Sequence, residues 1–236
     1  MVYAHDLKSC LERDVGSMPT PGTKNMHNYF KQYMRAVSNP LPEMKDYFDR
    51  ENNYLKKIAN ARSVVLDVGC GNGRTMKFLA PYVEKVVGID YDPKMVEEAQ
   101  KNLAGVPNIG LIQKDFFDEK FIQNFDLTFA SYSLLGSAEM ELKNQKLLLQ
   151  KMAKITKSGG HVIASAWNVE EINFARNYYP YIGVNVLKIE NHNVVTDQGI
   201  FRRFSRQDLE KLAEGIGSKF NIIKLTNLFY LLDILI

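Results

Sequence analysis

Cysteine is nearly missing from this chain. Two occur in 236 residues, Cys10 and Cys70, and Cys70 lies inside a glycine-rich stretch. No disulfide framework is expected, and a reducing, cytoplasmic setting is. Charge of one sign is scarce too. The formal net charge is +3, which speaks against a nucleic-acid partner. Long apolar runs are absent. LFYLLDILI, close to the last residue, is too short to span a bilayer and Asp233 interrupts it, so no membrane partner is expected. The opening MVYAHDLKSCLERD has no apolar core bounded by a cleavage site, so no signal peptide is expected. His5, His27, His161 and His192 are scattered without metal-ligand spacing, and no metal is expected. His161 opens a predicted strand and reads as structural.

What is present suits a packed core. Hydrophobic residues make up 45% of the chain and charged residues 24%. Residues 1–25 are polar and turn-rich. MHNYFKQYMRAV and PEMKDYFDRENNYLKKIANA then carry apolar residues at helical spacing, separated by the helix-breaking SNPLP. From residue 63 short apolar runs alternate with amphipathic stretches: SVVLDV, KVVGID, IGLIQ, FDLTFAS and GHVIASAW. Such alternation indicates a parallel sheet covered on both faces. A helix and a hairpin are expected after Trp167, then a last helix with Ser205 as N-cap and Asp208 completing a capping box. FNIIKLTN and LFYLLDILI are expected as two closing strands.

The expected architecture is α/β: a Rossmann-like doubly wound sheet, mostly parallel. Residues 1–61 form an N-terminal arm and helical cap. Residues 62–236 form the main domain, with a lid insertion at about 168–204.

VVLDVGCGNGR, residues 64–74, ends a strand in bare backbone beside a helix start. A dinucleotide site needs G-x-G-x-x-G, yet Arg74 stands where the third glycine belongs, which argues against NAD or FAD. No Gly-Lys-Ser/Thr follows, which excludes a P-loop.

VVLDVGCGNGR resembles the first motif of class I S-adenosylmethionine-dependent methyltransferases. VVGIDYDP resembles the second, IQKDFFDE the third and FDLTFASYSLL the fourth strand, in order, over residues 55–167. The resemblance implies an antiparallel final strand in the otherwise mostly parallel sheet. It also implies S-adenosyl-L-methionine as cofactor, held at Asp67, Gly69, Cys70, Gly71, Asn72 and Gly73 of the first motif. Asp90 and Tyr91 belong to the ribose-binding strand end, Asp115 and Phe116 to the adenine site, and Ser131 to the strand end beside the methyl group. Asp92-Pro93 reads as a helix start, and Cys70 packs as a small side chain.

The base-methylating Asn/Asp-Pro-Pro-Tyr turn is missing, the corresponding residues being Ala130-Ser131-Tyr132-Ser133. No His base is evident. Ser131 and Trp167-Asn168 stand where metal-dependent relatives carry carboxylates. Candidate substrate contacts are aromatic: Tyr29, Tyr33, Tyr132, Trp167 and Tyr178. His27 is a further candidate on the N-terminal helix. Arg202, Arg203 and Arg206 read as a solvated hairpin end, with a grip for an acidic substrate as the alternative.

The function this implies is methyl transfer to a nitrogen or oxygen of a small molecule by a monomer or homodimer, with no catalytic side chain assigned. An RNA methyltransferase of the tRNA wobble-base type, or a non-catalytic cofactor-binding activator subunit, are the alternatives.

Overall fold

The computed structural model describes residues 24–122, 124–137, 140 and 142–236; the N-terminal arm to residue 23 lies outside them. The chain opens with helices α1 (Lys24–Ser38) and α2 (Pro42–Ile58). Proline, with its fixed φ and no N–H to leave unpaired, opens α2, and Lys56 and Lys57 in the last turn suit the helix dipole. Strand and helix then alternate: β1 (Val64–Val68), α3 (Arg74–Leu79), β2 (Lys85–Asp90), α4 (Pro93–Asn102), β3 (Ile109–Gln113), β4 (Phe125–Ala130), α5 (Leu142–Lys154) and β5 (Thr156–Trp167).

The main sheet has seven strands in the order β3-β2-β1-β4-β5-β10-β9, where β9 is Lys219–Lys224 and β10 is Phe229–Leu235. The pairs β1–β2, β1–β4, β2–β3 and β4–β5 are parallel. The last strand inserts antiparallel between β5 and β9, as the family resemblance implies. Strand order reverses at β1, so a crevice opens outside the carboxyl ends of β1 and β4.

Both faces of the sheet are apolar. Leu66, Val68, Val87 and Val162 pack with α5 and with α7 (Arg206–Ala213), while Val65, Val86, Leu127 and Ile163 pack against the opposite layer. That layer includes Leu55 of α2, fully buried among them. Met44, Tyr47, Phe48, Glu51 and Asn52 on the same helix are also buried. Thus α2 packs as part of the core.

Between β5 and α7 lies the insertion. It holds α6 (Ile172–Tyr181) and a second antiparallel sheet, β6 (Val186–Glu190), β7 (Asn193–Thr196) and β8 (Gly199–Arg202). The sequence suggests a helix and a hairpin here; the third strand, β6, is the difference. Its residues are mostly exposed, so no apolar alternation marks it. Local punctuation holds elsewhere: the Asp92 carboxylate caps α4 by accepting from Lys94 N–H, and the Ser205–Asp208 capping box opens α7.

Candidate active site

The three glycines of residues 69–73 all take left-handed backbone, at φ of 69°, 53° and 76°. Each one also lets something approach. A β-carbon on Gly71 would meet the Tyr33 hydroxyl at 2.6 Å, and one on Gly73 would meet Leu103 at 2.7 Å. The loop's amides are already engaged. Gly69 and Cys70 N–H donate to the Ile89 carbonyl, and Gly73 N–H donates to the Cys70 carbonyl. Gly71 N–H donates to Asp90 Oδ2 at 2.9 Å. A phosphate-binding loop needs outward-pointing amides, and these point into the fold.

Three adjoining cavities follow the sheet's carboxyl edge. The first, about 620 Å³ and partly open to solvent, is lined by Gly69, Gly71, Asp90, Tyr91, Asp115 and Phe116, among others. At its floor Asp90 Oδ1 accepts from Asp92 N–H at 3.0 Å. Asp115 Oδ1 accepts from Phe117 N–H at 2.8 Å, which shapes the turn carrying Phe116. Lys151 of α5 clamps that turn. Its ammonium donates to the carbonyls of Phe116, Phe117 and Glu119 and lies 4.9 Å from the centre of the Phe116 ring. Burial pulls the Lys151 pKa down.

Pocket residues Asp67, Cys70, Arg74 and Ser131 surround a smaller cavity, also bordered by Gly69 and Leu134. Here Asp67 Oδ1 and Ser131 Oγ are buried without a hydrogen-bond partner. Burial raises the Asp67 carboxyl pKa well above the usual range; Arg74 opposes that shift, and Glu51 and Asp90 add to it. Burial also raises the Cys70 thiol, so it is a neutral packing group rather than a nucleophile.

The remaining cavity, about 480 Å³, is aromatic. Tyr33 of α1, Tyr132 after β4, Trp167 at the end of β5, and Tyr178, Tyr179 and Phe201 of the insertion line it. Burial pushes the Tyr132 hydroxyl up to about 12, and it shares a very short hydrogen bond with the Tyr178 hydroxyl. Of all the side chains at the edge, Tyr33 alone among those named borders all three cavities.

Sequence candidates thus converge, with distinctions. Asp67, Gly69, Cys70, Gly71, Asp90, Tyr91, Asp115, Phe116 and Ser131 border the first or the smaller cavity. Tyr33, Tyr132, Trp167 and Tyr178 border the aromatic one. Asn72 and Gly73 shape the loop instead: Asn72 Oδ1 accepts from Tyr33 Oη and Arg74 N–H, and Gly73 lets α4 approach. The side chains of His27 and Tyr29 lie outside the described residues. His161 sits far along β5 from Trp167, its Nδ1 2.7 Å from Asp233 Oδ1.

Sequence reasoning missed the scaffold under the site. Tyr132 and Ser133 both have positive φ, 53° and 58°. Such backbone persists only when its surroundings fix it. Tyr132 N–H donates to Tyr47 Oη at 3.0 Å, Ser133 N–H to Ser165 Oγ at 3.1 Å, and Trp167 N–H to Ser133 Oγ at 3.1 Å. Tyr47 Oη in turn donates to Glu51 Oε1 at 2.6 Å, so the Ser165 hydroxyl, 2.8 Å away, donates to Tyr47. Glu51 Oε2 lies 3.5 Å from the Arg74 guanidinium, which stacks 4.0 Å from the centre of the Phe48 ring. No local sequence signal marks these long-range partners.

Residues 59–215 match a family model described as a methyltransferase domain. The chain belongs to that family. The methyltransferase domain also resembles a demethylmenaquinone methyltransferase of Clavibacter sepedonicus, 24% identical over 158 residues, covering 61% of this chain and 62% of that protein. The chain spans between 46% and 62% of the length of the first four curated relatives it matches. Its fold is similar to that of a Pyrococcus horikoshii protein, with TM-score 0.68, 20% identity, and coverage of 87% of this chain and 96% of that one. It is likewise similar to the N-methyltransferase NodS of Bradyrhizobium japonicum in complex with S-adenosyl-l-homocysteine, with TM-score 0.60, 14% identity, and coverage of 89% and 97%. Among the described residues no helix is long and apolar enough to cross a membrane.

Proposed function

We propose that this chain transfers a methyl group from S-adenosyl-L-methionine to a nitrogen or oxygen of a small molecule. The observation that carries the reading is the meeting of three chemically distinct cavities at Tyr33. The first suits adenosine: Phe116 offers a ring face, Asp115 an acceptor for the adenine amino group, and Asp90 an acceptor for ribose hydroxyls. Asp90 accepts from Gly71 N–H and Asp92 N–H, which holds its carboxylate at the cavity. The smaller cavity suits an amino acid zwitterion. Asp67 Oδ1 and Ser131 Oγ lack partners there, and Arg74 supplies a cation for a carboxylate. The S-adenosyl-l-homocysteine held by NodS supports the same cofactor here.

The bound cofactor supplies a sulfonium-activated methyl group. The protein's part is positioning. Tyr33, Tyr132 and Trp167 hold the acceptor molecule against the cofactor cavities, and α1 with the insertion excludes water. Such alignment supplies roughly 7–11 kcal/mol with no catalytic side chain. The tyrosines orient rather than accept protons: with its pKa pushed up to about 12, Tyr132 stays protonated at neutral pH and donates. Helix α1 and the insertion, 168–204, act as the lid. The Tyr181 hydroxyl at the end of α6 donates to the Asn39 carbonyl just past α1, which joins the two parts.

Calorimetry with S-adenosylhomocysteine and NAD, followed by methyl transfer from labelled S-adenosylmethionine to candidate amines and phenols, tests the reading. S-adenosylhomocysteine is expected to bind and NAD to bind far more weakly. NAD binding of equal strength overturns it. Turnover by the isolated chain excludes a purely activating subunit.

A further inference from the structure

Three arginines follow one another at the end of the insertion, and they have different fates. Arg202 pairs with Asp208 at 3.4 Å and Arg206 with Glu210 at 3.2 Å. Arg203 is fully buried, one of the largest side chains with no exposure at all. Arg206 is exposed, as a solvated hairpin end would be; Arg203 is the departure from that reading.

Arg203 has no carboxylate within 4.0 Å among the described residues. Its Nη1 donates to the carbonyls of Asn168 and Glu171, both at 3.1 Å. Its Nε and Nη2 have no hydrogen-bond partner. Glu171 acts on it only at longer range, without an ion pair. Burial lowers the Arg203 pKa, yet a guanidinium starts so high that it remains a cation at neutral pH. A buried charge with unfilled donors is unfavourable unless something compensates it.

What surrounds it points to the aromatic cavity. The guanidinium lies 4.9 Å from the centre of the Trp167 ring, and Trp167 lines that cavity. Tyr179 lines it as well, and its buried hydroxyl has no acceptor. The Arg203 guanidinium faces that hydroxyl oxygen as charge and as donor, opposing the rise that burial causes in its pKa, so the hydroxyl's own proton is what remains to be given. An aromatic box of this kind is otherwise suited to a cationic amine. Here a protein cation already occupies a face of the tryptophan, and a second cation would be repelled.

We propose that the aromatic cavity takes a flat-ring substrate carrying an anionic oxygen, with that oxygen at the Tyr179 hydroxyl and Arg203 behind it. The proposal rests on the methyltransferase reading and names the substrate class of the same site. The hydroxyl donates to the anion, and the guanidinium supplies the opposite charge without itself lining the cavity. A purely structural Arg203 would use Nη1 to tie the start of the insertion at Asn168 and Glu171. That role leaves the proton of the buried Tyr179 hydroxyl without an acceptor.

Benzoate, benzamide and benzylamine share a ring and differ in charge. Titrated into the full chain with S-adenosylhomocysteine present, benzoate is expected to bind at least roughly tenfold more tightly than the other two. Tyr179→Phe is expected to remove most of that preference, because benzoate loses a charged hydrogen bond and benzamide only a neutral one. Arg203→Met is expected to abolish it; should that variant not fold, Tyr179→Phe decides alone. Equal or tighter binding of benzylamine or benzamide overturns the proposal. So does no binding of benzoate up to its solubility limit, or a benzoate preference that survives Tyr179→Phe. Binding of S-adenosylhomocysteine is measured in the same series. Its failure counts against the cofactor reading, and loss of anion preference alone counts against this one.

Discussion

Tyr33 Oη donates to Asn72 Oδ1 at 3.1 Å, joining helix α1 to the glycine loop across 39 residues of sequence. The same ring stands edge-on to Tyr132, with centroids 5.9 Å apart, and borders every cavity of the site. Among its described side chains α1 gives the buried core Ala36, whereas α2 contributes Leu55, Tyr47 and Met44. Deletion of residues 1–38 is therefore expected to leave a folded protein that still binds cofactor and loses turnover. Circular dichroism, calorimetry and a methyl-transfer assay read the three properties separately. A folded truncation with full turnover shows that α1 is no lid.

Asp90 accepts from Gly71 N–H and Asp92 N–H, so it shapes the loop as well as facing the first cavity. Asp90→Ala is expected to weaken cofactor binding about ten- to a hundred-fold, the equivalent of roughly 1.5–3 kcal/mol of charged hydrogen bonding. A loss of stability of about 1–3 kcal/mol is expected alongside, from the two stranded amides. Asp90→Asn keeps one acceptor and is expected to fall between. Unchanged affinity in a folded Asp90→Ala protein would reduce Asp90 to a loop-shaping residue.

The contrast between Asp90 and Arg203 explains what was legible in the sequence. Asp90 ends an apolar run and precedes Asp-Pro, so strand, acid and helix start are written within a few residues. The glycines, Asp115 and the Ser205–Asp208 box are equally local. Arg203 sits in a run of charge whose composition reads as solvent-facing, and only the tertiary position beneath Trp167 removes it from water. Tyr47, Glu51 and Ser165 are dispersed over more than a hundred residues, and their joint support of Tyr132 and Ser133 has no local signature. Helix α2 has an amphipathic pattern that suits a cap and a core helix alike; burial of its apolar face against the sheet decides between them.

Tyr47→Phe tests that support. The substitution keeps the ring, stacked 3.6 Å from Phe229, and removes a hydroxyl that serves Glu51, Ser165 and Tyr132 N–H. Each buried group left without its partner costs about 1–3 kcal/mol. For a chain of this length, thermal unfolding is expected to fall by about 2–4 °C per kcal/mol. Turnover is expected to fall further than cofactor affinity, because the freed backbone carries Tyr132 of the aromatic cavity. A midpoint within about 1 °C of wild type would show that Tyr132 and Ser133 are held by other contacts.

Asp67 gives a pH dependence whose sign is fixed by burial. Its folded pKa is raised, first by desolvation, with Arg74 opposing and Glu51 and Asp90 adding. Below the ordinary carboxylate range both folded and unfolded chains hold the proton. Above it the unfolded chain loses the proton first, so the folded chain binds more protons and stability falls as pH rises, until the folded group ionises too. A cofactor ammonium beside Asp67 acts in the opposite direction, because it favours the carboxylate. Binding then releases a proton, and cofactor affinity is expected to rise with pH across the same window and level off above the raised pKa. Asp67→Asn removes both effects. The variant is expected to be more stable than wild type at neutral pH without cofactor, and to bind cofactor more weakly with a flat pH profile. Calorimetry in buffers of different ionisation enthalpy, over roughly pH 5 to 8, counts the released proton directly. Wild-type affinity that does not change with pH, or a proton release that persists in Asp67→Asn, would show that Asp67 is not the group facing the ammonium.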